Sequence, residues 1–212
     1  MTEPPTWLPL AVEILFFLCL LWVAFRFRRL TGETPLVLTY GDDLAGFSGR
    51  VFRAVLLATI IIVIAHAVAP QWLARTAGTI GLIDFSALAW LGVALTVVGV
   101  IVCTASQLAM GSSWRIGIPE KQTSPLVDTG MFAYSRNPIY LGIMIAIFGF
   151  VLAIPNGFML AVAIAAFVGV SCQIRLEEQH LARQFGADFE AYRNRVRRWL
   201  QFYARSQICV AD

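Results

Sequence analysis

Residues 138–174 read PIYLGIMIAIFGFVLAIPNGFMLAVAIAAFVGVSCQI, and this stretch decides the fold. It contains no charged residue, and the run Pro155-Asn156-Gly157 divides it into two apolar segments, 139–154 and 158–174. A turn of these residues between apolar segments predicts two antiparallel helices joined tightly. The first segment provides only about 24 Å of helix, against a hydrocarbon core of roughly 30 Å. The stretch therefore predicts a short helical hairpin in a membrane.

The rest of the chain has the composition of a membrane protein. Of its 212 residues, 58% are hydrophobic and 14% are charged, and the mean hydropathy is +0.73. Soluble domains carry about 25% charged residues, so lipid must be the solvent for much of this chain. Three further apolar segments, 7–25, 51–69 and 85–110, approach the roughly 20 residues that a bilayer-spanning helix needs. We therefore predict an all-α integral membrane protein with about five transmembrane helices.

The basic residues predict the orientation. In a five-span arrangement, every Lys and Arg except Arg75 lies on the same side of the membrane. The positive-inside rule then predicts an external N-terminus and a cytoplasmic C-terminus, in a multi-pass protein of a bacterial inner membrane. The first segment has its basic cluster after it, which favours a retained helix over a cleaved signal. The net charge of +3 is explained by topology and lipid headgroups, and it gives no indication of nucleic-acid binding.

The chain is predicted to form one integrated membrane domain, since it has no linker and no repeat. Residues 1–110 hold three spans, and residues 111–212 hold a polar loop, the short hairpin and cytoplasmic helices. Residues 31–49 are rich in Gly, Thr and Asp and predict a cytoplasmic loop. The loop 111–138 is long for a connection between neighbouring helices, and such loops are often functional.

Beyond residue 174 the apolar residues recur at intervals of three or four, which predicts an amphipathic helical extension. Gly186 is expected to divide this extension into two helices. The second is expected to lie on the cytoplasmic membrane surface with Trp199, Phe202 and Tyr203. Its basic residues are Arg193, Arg195, Arg197 and Arg198.

Metal and redox chemistry find no support in the residue pattern. The four cysteines have no paired spacing typical of zinc or of a redox motif, and we predict no metal site. Glu13 and His66 lie within apolar spans, where ionisable residues are costly. The sequence identifies no partner for either of them, and His66 is expected to be a packing residue near the end of its span.

Two polar runs flank the hairpin, one at each end. Residues 130–142 read GMFAYSRNPIYLG and lead into it, and residues 175–181 read RLEEQHL and leave it. In an antiparallel helix pair these two ends lie side by side, so Arg136 is expected to meet Glu177 and Glu178. Their convergence is compatible with a ligand pocket and equally with a structural salt bridge.

The two runs together resemble one superfamily of membrane methyltransferases, which includes isoprenylcysteine carboxyl methyltransferases and phospholipid N-methyltransferases. Its pattern is G-x-[YF]-x-x-x-R-[HN]-P-x-Y-x-G, a helical hairpin, then E-E-x-x-L-x-x-x-F-G-x-x-[YF]-x-x-Y. The resemblance covers about the last 80 to 90 residues. The matching positions are Gly130, Phe132, Arg136, Pro138, Tyr140, Gly142, Glu177, Glu178, Leu181, Phe185, Gly186, Phe189 and Tyr192.

The resemblance implies methyl transfer from S-adenosyl-L-methionine to a lipophilic or membrane-associated small acceptor. It implies that Arg136 and Glu178 are catalytic. The cofactor would be bound by Tyr134, Arg136, Asn137, Pro138, Tyr140, Glu177 and Glu178. Trp114, Arg115 and Arg195 are candidates for orienting an acceptor. The chemistry of these residues fits, because an Arg fork holds a carboxylate and an aromatic face favours a sulfonium.

Two positions depart from the family pattern, and two other functions compete. Asn137 stands where many members have His, and Arg197 follows Val196 where prenylcysteine enzymes have Pro, so prenylated proteins are not predicted as substrates. One alternative is an NADPH-dependent membrane reductase of the sterol reductase type. The other is a non-catalytic transporter or partner subunit. Gly92 and Gly99 predict close helix packing, either within the chain or between subunits, so the sequence does not select an oligomeric state.

Overall fold

The computed structural model describes residues 2–35, 44–81, 85–115 and 125–201, and these residues are mostly helical. The helices are α1 (Leu8–Thr31), α2 (Leu44–Val68), α3 (Pro70–Ala77), α4 (Phe85–Met110), α5 (Pro138–Ala153), α6 (Gly157–Phe185) and α7 (Ala187–Arg195). Two short 3-10 turns, Gly111–Ser113 and Gly130–Ala133, flank the polar loop.

The helices confirm an all-α multi-pass membrane protein. By length and composition, α1, α2, α4 and α6 are each able to cross a membrane, whereas α5 is a shorter apolar helix of 16 residues. The predicted short hairpin is thus α5 and α6, joined at Ile154–Gly157. Asn156 caps α6 by accepting a hydrogen bond from the Met159 amide at 2.9 Å.

Two sequence expectations about the polar segments need correction. Helix α2 begins at Leu44, so the predicted loop 31–49 is partly helical, and its residues 36–43 lie outside the described part. The helix after Gly186 forms as predicted, but it ends at Arg195 because Val196 turns the backbone to an extended conformation. Arg197 and Arg198 therefore lie beyond the helix, on a non-helical segment. Phe202 and Tyr203 fall outside the described residues.

Helices α4 and α5 pack with their backbones in contact. A Cβ atom placed on Gly99 would lie 2.5 Å from the Ala146 amide nitrogen and 2.6 Å from the Gly142 carbonyl oxygen. One placed on Gly149 would lie 2.6 Å from the Gly92 carbonyl oxygen. Small residues spaced seven apart on both helices therefore meet along one seam, as in close-packed membrane helices. The small residues on α4 are accounted for by packing inside the chain.

The bundle has two chemically different ends. At one end the α5–α6 turn joins the segment after α3: the Ile80 amide donates to the Pro155 carbonyl at 3.0 Å, and Thr79 pairs with Asn156. At the other end, which we call the basic end, lie the last turns of α1 and α6 and residues 130–138. Between the two ends an apolar core is centred on Val63 and Met159, both fully buried.

Candidate active site

Most of the side chains predicted to form the site gather at the basic end where α5 begins. Pro138 occupies the first position of α5, and the 3-10 turn Gly130–Ala133 lies just before it. The Tyr192 hydroxyl of α7 fixes that turn by donating to the Phe132 carbonyl at 2.9 Å. Twenty residues separate Gly157 from Glu177 on α6, about 30 Å of helix and roughly the hydrocarbon thickness. With Gly157 at one boundary of the hydrocarbon core, α6 would bring Glu177 near the other boundary.

Arg136 and Glu178 form the centre of this site. Nε and Nη2 of Arg136 lie 3.1 and 3.0 Å from Glu178 Oε1, and the side chains of Arg136 and Glu178 are each only 10% exposed. A charged pair this enclosed needs further hydrogen bonds to offset its desolvation. Asn137 Nδ2 supplies one at 3.4 Å from the same carboxylate oxygen. The predicted convergence of the two polar runs is present in the structure.

A non-helical segment, residues 196–201, crosses over the start of α5, and we call it the strap. Arg136 Nη1 donates to the Arg193 and Val196 carbonyls at 2.9 and 3.0 Å. The backbone amide of Arg136 donates to the Arg197 carbonyl at 3.0 Å. The backbone amide of Gln201 donates to the Tyr134 carbonyl at 2.9 Å, and its side-chain Nε2 donates to the Ala133 carbonyl at 3.0 Å. The strap is therefore bonded along the polar run that enters the hairpin.

Arg198 brings a second guanidinium to Glu178. Its NH2 group lies 2.6 Å from Oε2 and its Nε 3.2 Å from Oε1, and these hydrogen bonds raise the pKa of Arg198. The Arg198 side chain is 42% exposed, so this guanidinium reaches solvent while Arg136 does not. An Arg has five N–H donors, and the structure engages four of those on Arg136.

Glu177 belongs to a separate polar chain that joins three helices. The Tyr140 hydroxyl of α5 donates to Glu177 Oε1 at 2.5 Å, and Gln173 Nε2 donates to the same oxygen at 3.1 Å. Ser48 of α2 in turn donates to Gln173 Oε1 at 2.8 Å. These two carboxylates are adjacent in the sequence but have different partners. Two guanidinium groups and the Asn137 amide bind Glu178, whereas only neutral donors bind Glu177 among the described residues.

The remaining predicted residues divide into two groups. Tyr134 is 47% exposed beside the strap, and Pro138 is buried at the start of α5. Arg195 pairs with Asp128 at 2.5 Å. Trp114 and Arg115 lie in another cluster with Phe27, where Trp114 is 2% exposed. Among the described residues, Ile139 and Met110 pack against this cluster, and Met110 also packs against the apolar cluster of Phe132, Tyr192 and Val196 beside the site.

The structure brings several polar groups to this region that the sequence pattern does not single out. The pattern predicts Arg198 at the membrane surface with its neighbours, because nothing in its spacing indicates the return of the strap to Glu178. Gln173 had a usable signal, since a polar residue one turn before Glu177 in an apolar span needs a partner. His180 lies within one turn of Glu177, and its buried Nε2 has no hydrogen-bond partner among the described residues.

The fold and the site together define a class: an all-α membrane protein with a buried cluster of arginines and carboxylates at the membrane boundary. Part of this chain, including the cluster around Arg136, is similar in sequence to known proteins. Residues 87–188 match the family model described as phospholipid methyltransferase. This region includes α5, Arg136 and both glutamates, and it ends before the strap.

A curated relative matches as well. The protein-S-isoprenylcysteine O-methyltransferase of Saccharomyces cerevisiae is 32% identical over 109 residues, which are 50% of this chain and 46% of that protein. The match thus spans less than half the length of the relative. The two comparisons confirm the resemblance to the superfamily of isoprenylcysteine and phospholipid methyltransferases.

Proposed function

We propose that the protein is a membrane methyltransferase that uses S-adenosyl-L-methionine and acts on a lipophilic or membrane-associated small acceptor. One observation carries the proposal: Arg136 and Glu178 form a buried pair where the short hairpin meets the membrane boundary, inside the region that matches phospholipid methyltransferase. A site at this depth is accessible to a water-soluble cofactor from one side and to a lipophilic acceptor from the bilayer.

The donors and acceptors at the site fit this cofactor. Its carboxylate suits the guanidinium groups of Arg136 and Arg198, and its ammonium and ribose hydroxyls suit Glu177 and Glu178. Most donors of Arg136 already have protein partners, so a bound carboxylate would share or replace them. His180 Nε2, which finds no hydrogen-bond partner within the described part of the chain, is a further polar atom that a ligand would satisfy.

Bound S-adenosylmethionine supplies a methyl group on a positively charged sulfur. The task of the chain is then to align an acceptor atom with that methyl group and to exclude water. In this proposal Arg136 and Glu178 hold the strap and the cofactor in position. An acceptor that is an amine or a hydroxyl must also lose a proton, and Glu177, bonded to Tyr140, is the carboxylate available to hold it.

The competing functions have weaker support. The match over residues 87–188 is to a methyltransferase family, which favours methyl transfer over an NADPH-dependent reductase. A transporter or non-catalytic subunit explains the Arg136–Glu178 pair only as a structural salt bridge, whereas methyl transfer also agrees with the family match over residues 87–188. The structure also accommodates Asn137 in place of the usual His, since Asn137 Nδ2 donates to both Glu178 and the Arg198 carbonyl.

The proposal is tested by methyl transfer in membranes that contain the protein. S-adenosylmethionine labelled on its methyl group is added, and the label in the lipid extract is counted. Replacing Glu178 by Gln should lower incorporation at least about tenfold, since it removes the charge that both arginines require. Glu190→Gln is the matched control, because Glu190 forms only an exposed pair with Arg193. Equal incorporation by wild type and Glu178→Gln would contradict the proposal.

A further inference from the structure

A second basic site lies at the same end of the bundle, outside the cluster around Glu178. Arg115 follows the 3-10 turn after α4, and its guanidinium carbon lies 4.8 Å from the centre of the Phe27 ring on α1. Trp114 packs edge-on against the same ring, with centroids 6.2 Å apart. These contacts hold the Arg115 guanidinium in one place with its side chain only 20% exposed.

The Arg115 guanidinium is incompletely satisfied. Its NH2 group lies 3.0 Å from Glu33 Oε2, but Glu33 is 66% exposed and such a pair contributes little. Its NH1 group is buried and finds no hydrogen-bond partner among the described residues. A buried cationic donor without a partner is costly, so this atom is suited to an anionic ligand.

An apolar groove lies beside the same Phe27 ring. It runs between α1 and α4 and is lined by Val23, Phe27, Leu30 and Leu108, with Arg26 and Gln107 adding polar atoms. Phe27 belongs both to this groove and to the platform beneath Arg115. A guanidinium that keeps one nitrogen without a hydrogen-bond partner among the described residues, beside an apolar groove at a membrane boundary, has the chemistry of a phospholipid site.

We propose that this groove binds an anionic phospholipid, with its phosphate at Arg115 and an acyl chain along α1 and α4. A phosphate accepts two parallel hydrogen bonds from a guanidinium fork, which would satisfy the unpartnered NH1. Anionic headgroups are concentrated at the cytoplasmic membrane surface, where the basic end is expected to lie. The site is separate from Glu178, so the inference does not depend on the proposed methyl transfer.

The test compares lipids bound to the delipidated full-length protein by native mass spectrometry. Phosphatidylglycerol should bind, and phosphatidylcholine with the same chains should bind at least about tenfold more weakly, since it lacks net charge. Arg115→Gln should lower phosphatidylglycerol affinity about tenfold. Arg28→Gln, which removes the same charge from an exposed position, should change it less than about twofold. Equal losses in the two variants would overturn the proposal, because they would indicate diffuse attraction.

Two further arms keep the test decisive. Inorganic phosphate is added alone and followed by thermal denaturation; stabilisation equal to that by phosphatidylglycerol would overturn the lipid assignment. Leu30→Glu places a carboxylate at a groove position that is 60% exposed, so the fold should tolerate it even if Arg115→Gln fails to fold. This variant should lose phosphatidylglycerol binding, and unchanged binding would contradict the proposed path of the lipid.

Discussion

Arg136 is held by two kinds of partner, a carboxylate on α6 and backbone carbonyls before and within the strap. The first fixes α5 against α6, and the second fixes the chain after α7 against both. One guanidinium therefore sets the relative positions of three segments. This explains why an Arg fork is required there, since a Lys ammonium lacks the planar donors that reach all of them.

Gln173 is expected to act as a positioning residue for Glu177. Replacing it by Leu removes the donor to Glu177 and the link to Ser48, so the carboxylate loses one of its two fixed hydrogen bonds. We expect methyl-transfer turnover to fall about fivefold, with affinity for S-adenosylhomocysteine changed less than turnover. Gln179→Leu, an exposed position on the same helix, is the control. Equal losses of methyl-transfer turnover in Gln173→Leu and Gln179→Leu would contradict a role of Gln173 in positioning Glu177.

Tyr192 is expected to make stability depend on alkaline pH. Burial raises the pKa of Tyr192 above its usual value, so the folded protein keeps this proton while the unfolded chain releases it above about pH 10. The stabilisation is complete below that pH and is lost as the pH rises further. Thermal denaturation in detergent should show wild type losing its advantage over Tyr192→Phe above about pH 10. A constant difference up to pH 11 or so would contradict this account.

At the scale of elements, the α4–α5 seam depends on residues without side chains. Gly149→Ala would place a Cβ 2.5 Å from the Thr96 amide nitrogen, so the helices must separate. We expect a loss of about 1–3 kcal/mol of unfolding free energy, measured by denaturation in mixed detergent. Gly49→Ala is the control, because nothing lies within 4 Å of that position on α2. A Gly149→Ala variant as stable as Gly49→Ala would exclude the observed packing.

The elements that the sequence predicted best are those with a strong local signal. The third apolar span matches α4, and the Pro155–Gly157 turn and the break at Gly186 follow from backbone chemistry that each residue carries alone. The sequence pattern predicts the end of α7 wrongly, because the apolar spacing continues through Val196 to Trp199 although the helix ends at Arg195. Tertiary hydrogen bonds from Arg136 and Asn137 stabilise the non-helical strap, and no local pattern encodes them.

At the scale of the whole molecule, the basic end is expected to face the cytoplasm. Alkaline phosphatase or green fluorescent protein fused after Asp212 distinguishes the two orientations in a bacterial host. We expect a fluorescent fusion and an inactive phosphatase, because Lys and Arg residues flanking spans are retained inside. An active phosphatase would place the site and the Arg115 groove on the outer side.

The position of the candidate site could be predicted from the sequence, but many of the hydrogen-bond partners within it could not. An antiparallel hairpin must bring Arg136 near the glutamates, so their convergence followed from the topology alone. The different partners of Glu177 and Glu178 did not follow, because they depend on α2 and on the strap, which lie far from them in sequence. The same holds for Trp114 and Arg115, which the structure places in a second cluster.

The central claim is that the cluster around Arg136 and Glu178 binds an adenosyl cofactor, and calorimetric titration of the detergent-purified protein tests it most directly. S-adenosylhomocysteine, S-adenosylmethionine and NADPH are each titrated into wild type, Arg136→Ala and Glu178→Ala. The account predicts that only the two adenosyl sulfur compounds bind and that both variants weaken them at least about tenfold. Binding of NADPH alone, or no binding to folded wild-type protein, would contradict it.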